Sequence, residues 1–106
     1  MRTERAAKQI GAGGKRALVA EGDGGVRVEI STHLRRDGFQ VLEADTGIEA
    51  LAVLRRGTVD IALVDPLLPE IDGLELVRRV RRESTVPIIM LTASSDEAAR
   101  IAGQAE

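Results

Sequence analysis

Glu21, Asp65 and Thr92 each stand directly after a short apolar run: ALVA (17–20), IALV (61–64) and PIIML (87–91). Two carboxylates and a hydroxyl delivered by strand ends can handle phosphate. Acids brought to one edge repel each other unless a cation lies between them. A hard ion such as Mg2+ takes oxygen ligands, keeps several waters and needs only one or two carboxylates. An aspartate beside it is a nucleophile toward phosphorus and forms an aspartyl phosphate. A neighbouring hydroxyl and backbone N–H groups would then hold the phosphoryl oxygens. The stretch VAEGDGG (19–25) raises a competing reading, a glycine-rich loop that cradles a nucleotide phosphate. Neither glycine motif fits. In GAGGK (11–15) the lysine is followed by Arg16 rather than Ser or Thr, and the run precedes an apolar segment instead of following one. GDGG lacks the third glycine of a dinucleotide fingerprint, because that position is Arg27.

The elements that must position these residues follow from the hydrophobic pattern. ALVA, VLEA (41–44), IALV and PIIML are nearly continuous apolar runs, which predict parallel strands buried on both faces. Between them apolar residues recur at helical spacing: Val26, Ile30 and Leu34, then Ala50, Leu51 and Leu54, then Leu74, Val77 and Val80. Thr46 with Glu49, Asp72 with Glu75, and Ser94 with Glu97 fit side-chain caps followed three residues later by an acid. Gly38 and Gly57 close the first two helices. Strands alternating with helices predict repeated βαβ units, an α/β doubly wound parallel sheet with helices on both faces. In such sheets the working site lies outside the carboxyl ends of the strands, which selects Glu21 to Asp23, Asp65 and Thr92. His33, beside the apolar stripe of the first helix, is expected to be packed or half-buried rather than catalytic, since no partner acid is evident. Arg78-Arg79 and Arg81-Arg82 complement the end of the third helix and read as a solvated face.

Composition sets the outer bounds. The 106 residues suffice for one domain with a core that needs no staples. The chain has no cysteine, which excludes disulfides and thiolate zinc sites. A net charge of -2 gives no global pull toward nucleic acid or an anionic membrane. No apolar run approaches the roughly 20 residues of a membrane span, and no signal peptide is evident, so a cytoplasmic protein is expected. Phe39 is the sole aromatic residue, which argues against base stacking. Residues 1–14, charged and alanine-rich before closing in glycines, read as a flexible extension ahead of a domain over 15–106.

At this level of detail a resemblance becomes specific. VDIALVDPLLPEIDGLELVRRVR followed by STVPIIMLTA resembles the middle of a bacterial response-regulator receiver domain, CheY-like, and in wording is closest to the OmpR/PhoB subfamily. ALVAEGDGGVRVEISTHLRRDGFQVLEADTGIEAL is similar to that family's opening segment without a gap. The resemblance implies a flavodoxin-like sheet of order 2-1-3-4 and a two-component signalling role. It implies a phosphoacceptor signalling domain rather than an enzyme, with a sensor histidine kinase as phosphoryl donor and no direct nucleic-acid or membrane contact. Carried over by position, Asp65 matches the phosphoacceptor and Thr92 the switch hydroxyl. Glu21 and Asp65 match metal-binding acids, and Leu67 the residue whose backbone carbonyl binds Mg2+. Pro69 and Asp72-Gly73 match the loop into the third helix.

The departures are equally specific. The family's direct carboxylate ligand falls on Gly22, which has no side chain to coordinate anything. Asp23, one residue later, is a substitute only if the backbone shifts, since neighbouring side chains of an extended segment point oppositely. Its ordinary role would be a helix cap. Pro66 stands after Asp65 where the family has a large apolar residue, and it removes an N–H there. With the direct carboxylate ligand replaced by Gly22, Mg2+ binding is expected to be weak or absent, and because the sequence ends at AGQAE, about where the family would begin its fifth strand and helix, the domain is expected to be incomplete. A fragment of a longer receiver is the expectation, the alternative being a homodimer or another chain that completes the open edge of the sheet. The competing function is a pseudo-receiver, an interaction domain that works without phosphorylation.

Overall fold

Ala17 to Ala20 are wholly shielded from solvent, and the rest of the structure is arranged around them. They belong to β1 (Arg16–Ala20), followed in order by α1 (Gly24–Arg36), β2 (Gln40–Ala44), α2 (Gly47–Arg55), β3 (Ile61–Val64), α3 (Gly73–Arg81) and β4 (Ile88–Met90). The structure is a computed structural model and describes residues 14–91. Thr92, the Ser94–Glu97 pair and nearly all of the expected extension lie outside the described residues.

The four strands form one sheet in the order β2-β1-β3-β4, with every pairing parallel, as the alternation of runs and helices requires. β1 lies in the middle, with Ala20 level with Ala44 on one side and Val64 on the other. Its even-numbered residues, Leu18 and Ala20, join Ala62 and Val64 in a core shared with Ala50, Leu51 and Leu54 of α2 and Leu76 and Val80 of α3. On the opposite face Ala17 packs with Phe39, Leu34 and Ile61. Among the described residues two helices therefore cover one face of the sheet and α1 covers the other.

That imbalance corrects the expectation of strands buried on both faces, which holds for β1 alone. In β2, at one edge, Leu42 is exposed, and in β4 Ile89 is 50% exposed. A single helix cannot shield four strands, so the outer strands keep one wet face.

The caps follow the sequence pattern closely. Thr46 Oγ1 accepts the Glu49 N–H at 3.1 Å, and Asp72 Oδ1 accepts the Glu75 N–H at 2.9 Å. Gly38 and Gly57 take φ of 100° and 72°, the left-handed turn that ends a helix at no cost to glycine. Two details depart from the periodicity. In α3 the buried residues are Leu76 and Val80, while Leu74 is exposed, because the Asp72 cap turns the second helical position outward. In α1 His33 is exposed, and the neighbouring Leu34 packs inward.

Ser31 is the buried polar residue of α1, and its Oγ has no hydrogen-bond partner among the described residues. A buried hydroxyl left unpaired loses its water without compensation. Ser31→Ala is expected to stabilise the fold by about 1 kcal/mol. Thermal unfolding followed by circular dichroism should show a midpoint higher by about 5 °C.

Candidate functional site

The parallel register carries two acids to one place. Beyond the last paired residues, the Asp65 N–H donates to the Ala20 carbonyl at 2.8 Å and the Glu21 N–H to the Ala44 carbonyl at 3.0 Å. Glu21 and Asp65 thus leave adjacent strands side by side, both half-buried, at the carboxyl edge that the strand-end rule selected.

Each carboxylate is held by local backbone. Asp65 Oδ1 accepts the Leu67 N–H at 2.9 Å, and Glu21 Oε2 accepts the Asp23 N–H at 3.2 Å. Burial and then a hydrogen bond shared with Asp65 push the Glu21 carboxyl from 4.5 up to about 7, and the Asp65 charge adds to the rise. Without a cation the pair relieves its repulsion by keeping a proton.

Pro66 fits where it stands. It occupies the second position of a turn in which the Leu68 N–H donates to the Asp65 carbonyl at 3.3 Å, a position that favours proline's fixed φ and needs no donor. Its own carbonyl accepts the Gly73 N–H at 3.1 Å, joining the turn to the start of α3. The turn continues through Glu70, a non-glycine residue at φ 70°, which costs roughly 1–2 kcal/mol and is held by its surroundings.

Two glycines clamp this loop. A Cβ on Gly47 would overlap the Ile71 carbonyl, while the Gly47 N–H donates to the Pro69 carbonyl at 3.0 Å. A Cβ on Gly73 would lie 2.7 Å from the Asp65 carbonyl oxygen. The first turns of α2 and α3 are therefore pressed against the loop that carries Asp65.

Gly22 lies at the same edge, where an added Cβ would meet Pro69 Cδ at 3.3 Å and the Asp45 carbonyl oxygen at 3.8 Å. Asp23 does not take over the vacant ligand position. Its Oδ1 accepts the Val26 N–H at 3.0 Å, so the side chain caps α1. Among the described residues no three His, Cys, Asp or Glu side chains gather as a metal-binding group. The donor set at this edge is Glu21, Asp65 and backbone oxygen. Two repelling carboxylates suit a hard divalent cation that retains waters.

The first residue beyond β4, Leu91, donates its N–H to the Val64 carbonyl at 2.8 Å, and the chain described here ends at that point, one residue before Thr92. Arg27 escaped the sequence reading. Its Nη1 donates to the Glu21 carbonyl at 2.8 Å and its Nε to Glu43 Oε1 at 3.1 Å, tying the loop after β1 to β2. Glu43, an acid inside an otherwise apolar run, was the available signal.

The described residues thus form a doubly wound parallel α/β domain with an acidic pair and a proline-containing loop at its carboxyl edge. The family model described as "Response regulator receiver domain" matches residues 17–105, and the chain belongs to that family. The transcriptional regulatory protein CseB of Streptomyces coelicolor is 46% identical over 79 residues, covering 74% of this chain and 34% of that protein. ResD of Bacillus subtilis is 36% identical over 86 residues, covering 81% and 36%. The chain thus matches about a third of the length of these relatives. Among solved structures, a response regulator from Chloroflexus aurantiacus superposes with a TM-score of 0.76 at 38% identity, covering 87% of this chain and 78% of that one. The receiver domain of sensor histidine kinase PA1611 from Pseudomonas aeruginosa, with a magnesium ion coordinated in its active-site cleft, gives 0.75 at 32% identity, covering 83% and 75%. The chain is a CheY-like receiver domain, a signalling domain of two-component systems. Among the described residues no helix is long and apolar enough to cross a membrane.

Two outcomes follow from this geometry. A carboxyl whose folded pKa is raised contributes stability below its unfolded value that is lost as pH rises through the folded value. In metal-free buffer, stability is therefore expected to fall between about pH 4.5 and about pH 7, and Glu21→Gln to flatten that part of the profile. Denaturant midpoints across that range provide the measurement. Gly47→Ala is expected to lower stability by about 1–3 kcal/mol through overpacking against Ile71, read as a lower urea midpoint at unchanged slope.

Proposed function

We propose that this receiver domain accepts a phosphoryl group on Asp65 from a sensor histidine kinase. The observation that carries the reading is the position of Asp65. It ends a central strand, half-buried beside Glu21, with one carboxylate oxygen held by the Leu67 N–H. That leaves the other oxygen to attack phosphorus in line. The bond to the donor nitrogen breaks, its electron pair stays with the donor, and an acyl phosphate forms on Asp65. Glu21, Asp65 and the Leu67 carbonyl would hold Mg2+, which supplies charge neutralisation at the phosphoryl oxygens. Leu67 presents its N–H at the site, and the loop clamped by Gly47 and Gly73 fixes the attacking carboxylate. Thr92 is the hydroxyl proposed to report the phosphorylated state. The domain acts as a stoichiometric signalling partner rather than by turning over a substrate, and the transcriptional role belongs to a longer protein of the kind its relatives represent.

Gly22 weakens the metal site in this reading. Disturbing even an outer partner of a metal typically costs 10–100-fold in affinity, and a lost direct carboxylate should cost at least about as much. A new side chain at position 22 needs Pro69 to yield by only a few tenths of an ångström. With a small phosphodonor and Mg2+, intact mass should therefore reveal a slowly formed phosphoryl adduct. Asp65→Asn and chelation by EDTA are each expected to abolish it. Gly22→Asp should lower the Mg2+ concentration needed by about tenfold or more. An adduct that survives Asp65→Asn, or none in either the natural sequence or Gly22→Asp, would overturn the phosphoacceptor role.

A further inference from the structure

In βαβ units helices run back against the strands, so the C-terminal ends of α2 and α3 meet at the sheet edge opposite Asp65. Arg55 and Arg56 end α2, and Arg78, Arg79, Arg81 and Arg82 end α3. The two ends are joined by an ion pair from Arg55 Nε to Glu83 Oε2 at 3.1 Å, while Glu75 pairs with Arg79 at 2.9 Å and Arg78 at 3.4 Å. Between them runs a cleft of about 440 Å³ lined by Arg55, Glu75, Arg79, Arg82 and Glu83. A second cleft of about 400 Å³ shares Arg55 and Glu83 and reaches Leu54, Gly57 and Val80.

Complementing helix ends does not account for this much charge. Each helix C-terminus carries roughly half a negative charge. Six arginines against Glu75, Glu83 and about one such charge from the two ends leave an excess of about three positive charges over the two helix ends, of which Arg55, Arg79 and Arg82 line the cleft itself beside Glu75 and Glu83. Among the described residues Arg56, Arg81 and Arg82 face no carboxylate at ion-pair distance.

We infer that this arginine-lined groove docks an acidic protein segment, at a site separate from the phosphoacceptor edge. The guanidinium fork matches a carboxylate in two-point geometry, which a lysine ammonium does not. Arg55 and Arg79 use only Nε toward Glu83 and Glu75, leaving their Nη groups to an incoming acid. The existing pairs are solvent-exposed and contribute little, so exchanging partners is cheap. A peptide is the better occupant than nucleic acid. A duplex backbone carries a charge about every 1.7 Å and must pass Glu75 and Glu83, whereas an extended peptide sends successive side chains to opposite sides and can step past them. No aromatic ring is available to stack a base, since Phe39 is buried in the core.

The test is fluorescence anisotropy at about 0.15 M salt, with a labelled peptide alternating glutamate and leucine. Its glutamine counterpart and a duplex DNA oligonucleotide serve as comparison probes. The glutamate peptide should bind at least about tenfold more tightly than either. Arg82→Glu and Arg55→Gln should each weaken it by about tenfold, with circular dichroism melts confirming the fold. Arg36→Glu, the same charge change on α1, should leave it within about twofold. Equal binding of both peptides, equal or tighter DNA binding, or equal losses at Arg36 and Arg82 would overturn the inference. So would Arg82-dependent self-association of the protein alone in sedimentation, which would assign the groove to a second copy.

Discussion

One register decides what this domain can do. Setting Ala20 level with Val64 obliges the next residues, Glu21 and Asp65, to leave the sheet as neighbours. Two half-buried carboxyls in that position repel, and each resolution of the repulsion is chemically informative. Burial and then the hydrogen bond shared with Asp65 raise the Glu21 carboxyl to about 7, a divalent cation would replace the proton, and a phosphoryl group on Asp65 would bring further negative charge that such a cation would have to offset. The surrounding features serve to keep the pair from escaping. The Leu67 N–H fixes Asp65, the Asp23 N–H fixes Glu21, and Arg27 ties the Glu21 carbonyl to Glu43 of β2.

The fold was legible because its signals are local. Cap residues, helix-ending glycines and apolar runs act within a few residues of themselves, and Thr46, Asp72, Gly38 and Gly57 behave as their neighbours in sequence demand. Asp65 and Glu21 were legible as strand-end acids for the same reason. The misses are tertiary. Gly47 looked like a residue after a cap, and only the approach of Ile71 from another loop explains why no side chain fits there. Leu74 satisfied a helical period, yet the sheet lies under Leu76, and a period does not say which face the sheet will meet. Burial of β2 and β4 failed because hydrophobicity of a strand does not reveal how many helices are available to cover it.

The small net charge conceals a polarised molecule. Asp23, Glu49, Asp72 and Glu75 sit at or within the first turns of helices, and arginines crowd their last turns, as helix dipoles favour. Because every strand is parallel, every helix points the same way, so these local preferences add up instead of cancelling. The carboxyl edge becomes acidic and the opposite edge basic. A sum over the sequence misses this, since charge sign is sorted by topology. The acidic edge is where a divalent cation would be drawn, and the basic edge lies apart from it as a place for anions.

Gly22 is then best understood through what surrounds it. An added Cβ at position 22 would press on Pro69 Cδ at 3.3 Å, which must yield a little, and the Asp45 carbonyl borders it, but no backbone overlap forces glycine there as it does at Gly47 and Gly73. Its φ is not in the left-handed region either, so backbone conformation does not demand glycine. Neither backbone overlap nor a left-handed φ therefore demands glycine at position 22. Asp23 cannot supply the carboxylate that position 22 lacks while its own caps α1, because swinging it toward the site would leave the Val26 N–H unpaired at the helix start. A helix cap substituted by alanine costs about 0.5–2 kcal/mol, and any metal contact made by Asp23 in place of the cap would have to exceed that. The cap wins, and the carboxylate count at this edge stays at two.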